Sequence, residues 1–372
     1  MANDKHTYQV IIVGGGPAGI ATAITLHARG IRCCVVEAQE TPLRKSGEAI
    51  PPNAKPLLKQ LGILSLIEDE KHQIYYGNKS CWGSNKLDQK EFISDRLGHG
   101  FLVDRLHFET QLQELYQTTN NPFYKGFKLK KVVSNGTKTK AIIENSSENK
   151  ILTSDFIIDA TGKKASVCRH FNIQKENLDS QFALTFNIKF SQKIQKQITV
   201  EATENGWWYV APYTENEVTM MFFTLKQLLP KKENTETFLQ DELQKTIHLS
   251  KEFNKIQINA VKIMPAGTSC LQVPYGKNWL AVGDAAYSYD PISSYGITSA
   301  LASGFYAGHA VADYLNGKQE ALPTYRYVVE NAFRAYMEKL VSHYSLEKRW
   351  EQSDYWTYRL PATVKEQDIL HS

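Results

Sequence analysis

The chain has 372 residues, 42% hydrophobic and 22% charged, with 22 glycines, 13 prolines and 5 cysteines, a composition that excludes a disordered, collagen-like or disulfide-stapled protein. At roughly 100 to 200 residues per domain, this length predicts about two domains or one large α/β unit. The 43 Lys and Arg against 39 Asp and Glu leave +4, and the basic residues are scattered, too thin a footprint for nucleic acid.

The amino terminus passes from a polar tag directly into an apolar run, without the basic region and apolar core of a signal peptide, so a cytoplasmic location is expected. No stretch approaches the ~18 uninterrupted apolar residues of a membrane span, and no membrane contact is predicted. Tyr8 to Val13 reads as a strand, Gly14-Gly15-Gly16-Pro17-Ala18-Gly19 as a tight turn and Ile20 to Arg29 as a helix. A second apolar run, Cys33 to Val36, ends in Glu37. The spacing completes a βαβ unit of the dinucleotide-binding kind. In Gly14-x-Gly16-x-x-Gly19 the first glycine permits the turn, the second lets a pyrophosphate approach the backbone, and the third lets helix and strand meet. The helix that follows points its free N–H groups at the phosphates, and Pro17 and Ala18 in the turn are further expected cofactor contacts. Glu37 can accept both ribose hydroxyls and would repel a 2′-phosphate, which selects FAD or NAD over NADP.

Further along, Phe127 to Val133, Thr139 to Asn145 and Lys150 to Thr153 form a predicted meander before the strand Phe156 to Ala160, which ends in Thr161-Gly162. From about 181 to 267 short aromatic and β-branched runs predict a separate antiparallel sheet: Phe182 to Phe190, Trp207 to Val210 and Val218 to Thr224, with one helix near Thr235 to His248. Trp279 to Val282 returns to a buried strand ending in Gly283-Asp284, and Ser294 to Leu315 and Tyr325 to Tyr344 read as helices. Cys33, Cys34, Cys81, Cys168 and Cys270 include no C-x-x-C pair, so no metal site is predicted. In the segment from Gly283 to Ile297, Asp284 can hold a sugar-alcohol hydroxyl and Pro291 fixes the chain beside a planar ring. The N–H groups of Gly296 and Ile297 offer partial positive charge to a ring that becomes anionic on reduction.

Asp159-Ala160-Thr161-Gly162 resembles the middle motif of FAD-dependent aromatic hydroxylases and geranylgeranyl-reductase-like flavoproteins, although Thr161 stands where hydroxylases usually carry aspartate. Asn278 to Ala286 followed by Asp290 to Ile297 resembles the third motif of the same superfamily. The resemblance implies FAD as cofactor and an α/β fold of the para-hydroxybenzoate-hydroxylase type: a Rossmann-like, glutathione-reductase-type FAD-binding domain with an inserted antiparallel-sheet substrate domain and C-terminal helices. The expected boundaries are 1–75, 100–175 and 268–345 for the FAD-binding domain, 76–99 and 176–267 for the substrate domain, and 346–372 for a C-terminal segment. Arg44 to Glu48 resembles the superfamily's loop against the flavin and Val103 to Glu109 its arginine at a helix start, which implies Arg44, Glu48, Arg105 and Gly162 as cofactor contacts.

Gly206 to Pro212 and Tyr355-Trp356-x-x-Arg359 are similar to tryptophan-halogenase-like flavoproteins, but those carry W-x-W-x-I-P where this chain has Trp207-x-Tyr209-x-Ala211-Pro212. Lys79 falls where their catalytic lysine would lie, and Lys79 and Glu48 are the candidate catalytic residues. Trp82, Trp207 and Tyr209 are candidate substrate-pocket residues or, equally, sheet core. The subgroup that Asp290 to Ile297 most resembles matures cysteine tryptophylquinone in bacterial oxidases and dehydrogenases. That resemblance implies hydroxylation of a tryptophan within a quinoprotein precursor. O₂ and a reductant, NAD(P)H or a reduced-flavin donor, are the expected co-reactants. A halogenase, a prenyl reductase and a non-catalytic flavin-binding chaperone stand as alternatives.

Overall fold

The computed structural model describes residues 6–92, 96–190, 195–254 and 256–359; the part of the expected C-terminal segment beyond Arg359 lies outside them. Thr7–Val13 is the central strand of a mainly parallel sheet. It pairs in parallel with Cys33–Glu37 on one side and Asn149–Asp159 on the other, and the sheet extends to Phe123–Lys125 at one edge and, through Trp279–Ala281, to the short antiparallel strand Tyr275–Gly276 at the other. Both faces are covered, so the runs Val10 to Val13 and Cys33 to Val36 are continuously apolar and buried. Helix α1, Pro17–Ala28, leaves the end of the central strand, and α2, Arg105–Gln117, packs against it.

The two predicted runs Lys150 to Thr153 and Phe156 to Ala160 are one strand, Asn149–Asp159. Its first half pairs antiparallel with Thr139–Glu144 and its second half in parallel with Thr7–Val13. Ser154-Asp155 looks like a break in the sequence. In the structure the Ser154 hydroxyl donates to the Phe156 carbonyl at 2.8 Å and Asp155 reaches out to Lys138 at 2.6 Å, so both polar groups are satisfied without leaving the ladder.

A second sheet has the strand order Lys262–Pro265, Gln181–Lys189, Glu217–Leu225, Gly206–Thr214, Ile198–Thr203, Gly77–Cys81, Asp88–Glu91. All its pairings are antiparallel except that of Ile198–Thr203 with Gly77–Cys81. Alternation sends Trp207, Tyr209, Met221 and Phe223 into the core shared with the parallel half. Trp208, Val210, Met220 and Phe222 form a second core on the opposite face, beneath α3, Thr235–Gln244. The helix expected to run to His248 stops at Gln244 because the buried Glu201 carboxylate draws the N–H groups of Ile247, His248 and Leu249 to itself, the last at 2.9 Å.

The chain closes with α4, Gly296–Leu315, α5, Ala321–Tyr344, and α6, Asp354–Arg359. Helices α1 and α4 come close because Gly304 and Gly308 lack side chains: a Cβ at Gly304 would lie 2.3 Å from the Ala18 carbonyl oxygen. Among the described residues no helix is long and apolar enough to cross a membrane, and no cluster of His, Cys, Asp and Glu could hold a metal ion.

Candidate functional site

The glycines of the first turn do different work. Gly14 has φ +116°, and a Cβ there would sit 2.1 Å from the Ala160 oxygen; one at Gly19 would sit 1.9 Å from the Gly14 oxygen. These two are demanded by packing. At Gly16, which caps α1 with no side-chain partner, an added Cβ would meet nothing within 4 Å. The turn therefore leaves open space in front of the free N–H groups at the start of α1, an arrangement suited to a phosphate. Glu37 stands beside this space: its Oε2 accepts the Gly15 N–H at 2.6 Å and its Oε1 the Gln39 N–H at 2.9 Å.

Two further turns converge on the same end of the parallel sheet. The Asp159 carboxylate accepts N–H groups from Thr161 at 3.0 Å and Cys168 at 2.9 Å, which holds Gly162 at φ +64° with nothing within 4 Å of its Cβ position. Gly283, at φ +56°, packs against Ala18, and its N–H donates to Ser303 Oγ at 2.7 Å. The Asp284 carbonyl takes the Lys175 ammonium, whose pKa burial lowers to about 8 against the pull of the Asp284 charge, while the Asp284 carboxylate accepts no hydrogen bond among the described residues. After Pro291, helix α4 starts at Gly296, where a Cβ would again meet nothing.

The segment 44–48 lies between α2 and the second sheet. Arg105 Nη1 donates to the Gly47 carbonyl at 3.0 Å, and its Nη2 to Glu109 at 2.5 Å, which also takes Lys45 at 2.6 Å. Ser46 Oγ lies 3.2 Å from Thr185 Oγ1 in the sheet. Glu48 is 4% exposed, and burial pushes its carboxyl up to about 7 against the opposing pull of Arg105. Its charge and that of Tyr75, with burial the larger cause, raise the Tyr209 phenol well above its ordinary value. Arg44 is directed elsewhere, 4.3 Å over the Tyr213 ring and 3.7 Å from Glu217.

Sequence reasoning missed Gln113, whose Nε2 donates to the Gly15 carbonyl at 3.1 Å and whose Oε1 is buried without a partner. The signal was available in Arg105-x-x-x-Glu109-x-x-x-Gln113, a polar stripe on one face of a helix. It also missed the buried network around Asp290. That carboxylate accepts from Arg359, Gln181 and Tyr344, and Arg359 reaches Asp179 at 2.8 Å, tying α6 to the turn before α4.

Besides Arg44, three predicted residues are not brought to this site. Lys79 pairs with Thr199, which pairs with Val210, so all three side chains share the α3 face, opposite Tyr209. Its ammonium bonds Gln195 at the surface. Trp207 is stacked on Phe223 at 4.0 Å and donates to Tyr344 at 3.0 Å, while Trp82 donates to the His343 carbonyl and packs on Trp356. Both tryptophans are closed into core by the C-terminal helices, whereas Tyr209 alone of the three borders Glu48.

The turns, the open glycines and the Asp284 carboxylate, whose hydrogen-bonding capacity is unused, fit a dinucleotide with a sugar-alcohol linker. A family model described as FAD binding domain matches residues 7–338. LodB of Marinomonas mediterranea, whose name assigns it provisionally to the FAD-dependent oxidoreductases, is 22% identical over 95% of this chain and 97% of its own length. The myxobacterial chondrochloren halogenase CndH superposes with a TM-score of 0.89 at 19% identity, covering 98% of this chain and 88% of that one. The peptidyl tryptophan dihydroxylase QhpG superposes with a TM-score of 0.76 at 19% identity, covering 95% and 78%.

Proposed function

The chain belongs to the FAD-binding-domain family and is an FAD-dependent oxidoreductase; from that premise we propose that it is a monooxygenase that hydroxylates an aromatic ring, with a tryptophan of a quinoprotein precursor as the substrate. In this reading residues 1–75, 100–175 and 268–345 hold FAD, and 76–99 with 176–267 cover the reacting ring. Gly14 to Gly19, Glu37 and Gln113 hold the ADP half, Asp284 the ribityl chain, and the N–H groups of Gly296 and Ile297 the flavin edge that gains negative charge. Bound FAD supplies two-electron redox chemistry and the reaction with O₂. One oxygen atom enters the ring, the other leaves as water, and a reductant provides the two electrons. Glu48, poised near neutrality and shielded from water, can take up the proton that the ring carbon gives up.

The observation that carries oxygen insertion over halogenation is the placement of Lys79. A lysine relaying hypohalous acid has to reach the flavin side of the sheet, and Lys79 is bonded to Gln195 on the other face. The dihydroxylation of peptidyl tryptophan named for QhpG supports the protein-bound ring. Co-expression with an unmodified quinoprotein precursor, with and without added bromide, tests the reading by intact mass. It predicts oxygen gain at a tryptophan that requires the FAD-loaded protein. Halogen gain, or turnover without O₂ consumption, contradicts it.

A further inference from the structure

Four of the six tryptophans of the chain stand in one file through the core. Between ring centroids, Trp207 lies 6.2 Å from Trp82, Trp82 lies 5.2 Å from Trp356 on α6, and Trp356 is stacked on Trp350 at 6.4 Å. The first three are buried, whereas Trp350 is partly exposed, with the Arg349 guanidinium 4.3 Å over its ring. The other two stand outside the file: Trp208 is in the opposite core, and Trp279 is stacked on Phe171. At such spacings neighbouring aromatic rings are in contact, and electron transfer between them is fast because tunnelling weakens steeply with the gap.

The inner end of the file adjoins the proposed flavin site and carries a proton path. Trp207 and Tyr209 are next but one on the same strand, so their side chains share a face about 7 Å apart, and Tyr209 borders Glu48. The Trp207 Nε1–H donates to the Tyr344 hydroxyl at 3.0 Å, and that hydroxyl donates to the Asp290 carboxylate at 3.1 Å. Asp290 in turn accepts the Ile292 N–H at 2.8 Å, in the turn that leads to Gly296. An indole that loses an electron becomes acidic at its N–H. Here that proton can pass to the Tyr344 oxygen as the Tyr344 proton passes to Asp290. The N–H groups of Trp82 and Trp356 instead end on backbone carbonyls, of His343 at 3.0 Å and Thr203 at 2.9 Å.

We propose that Trp207, Trp82, Trp356 and Trp350 form a relay that carries a one-electron oxidising equivalent from the flavin site to the protein surface. The inference rests on the cofactor placement of the preceding section and not on which ring the enzyme hydroxylates. The oxidant is a one-electron species left when the reaction of the flavin with O₂ aborts. It takes one electron from Trp207 and is reduced. Trp207 is refilled from Trp82, Trp82 from Trp356 and Trp356 from Trp350, while the proton returns from Asp290 through Tyr344. The vacancy ends on Trp350, where a small external reductant of the ascorbate or thiol class supplies the electron. The net change is one electron moved from that reductant to the oxidant, with every side chain restored, so the oxidant is discharged without damage to the core beside it.

The test uses laser-flash excitation of the bound, oxidised flavin, which makes it the one-electron oxidant, and transient absorption of the indole radical. In the wild type the radical should disappear faster as ascorbate is added, because the vacancy reaches the surface. In Trp350→Phe, whose ring packs but is not oxidised, the radical should recombine with the flavin several-fold faster and lose its response to ascorbate, with the flavin absorbance unchanged. Trp350→Tyr, which keeps an oxidisable ring at that position, should recover the response. Equal decay and equal ascorbate response in wild type and Trp350→Phe overturn the relay, and so does a flavin-loaded wild type that forms no indole radical, even if the precursor still gains oxygen. A surface-reaching radical in a protein whose precursor gains no oxygen upholds the relay and refutes the proposed reaction instead.

Discussion

The parallel half of the molecule and the seven-stranded sheet were both rich in suggestive residues, glycines in one and aromatics in the other, but the structure treats them oppositely. At Gly16, Gly162 and Gly296 it leaves empty space beside polar backbone. At Trp207 and Trp82 it leaves none: the rings are stacked, hydrogen-bonded and closed over by Tyr344 and Trp356. A binding site is marked by space and unsatisfied polar groups, and the residue type alone does not distinguish it from core.

The contrast breaks first if Trp207 is a contact residue rather than core. Trp207→Ala should cost about 4 kcal/mol of stability, the usual penalty for emptying a large aromatic site, while the folded fraction keeps its full complement of flavin. Denaturant unfolding followed beside flavin absorbance measures both, and a stable variant with lost flavin would reverse the assignment.

Glu48 sharpens the comparison from the open side. Unfolded, its carboxyl has its ordinary pKa near 4.5, and in the folded protein it is raised to about 7. Between those values the native state keeps a proton that the unfolded chain has lost. Its favourable contribution is therefore complete below about pH 4.5 and disappears as pH rises through 7, a change of about 3 kcal/mol. Glu48→Gln should remove that pH dependence from flavin-free protein, so the variant gains stability relative to wild type between pH 5 and 8. Parallel stability–pH curves for the two proteins would place the Glu48 carboxyl in water instead.

The smallest effect concerns Glu37. Its carboxylate already holds the Gly15 N–H, so Glu37→Ala removes both a turn contact and a ribose acceptor. FAD affinity should fall by about 1 to 3 kcal/mol, read as a higher dissociation constant in fluorescence titration. An unchanged constant would mean that the ribose lies elsewhere.

What the sequence made legible follows the range of the forces involved. The strand Thr7–Val13, the turn and α1 are local, and the glycine spacing predicts them nearly residue for residue. Local pattern also finds Gln181–Lys189 and Glu217–Leu225 within a residue or two. It does not reveal which face of a strand is covered, because that depends on helices far along the chain: α5 and α6 bury Trp207, and strand register turns Lys79 away from Tyr209. The same reason hid the ion pairs of Arg359 with Asp179 and Asp290, which join residues distant in sequence.

The central claim is that the first turn holds the FAD phosphates in the space that Gly16 leaves open, and Gly16→Val tests it against Gly19→Ala. Because nothing lies within 4 Å of a Cβ at Gly16, the valine variant should still fold, its apo-protein stability lowered by about 1 kcal/mol through the exchange of a favourable N-cap residue for a poor one. It should nevertheless purify without flavin absorbance. Gly19→Ala, whose Cβ would meet the Gly14 carbonyl, should lose the fold itself. A folded Gly16→Val that retains its full flavin spectrum would contradict the account.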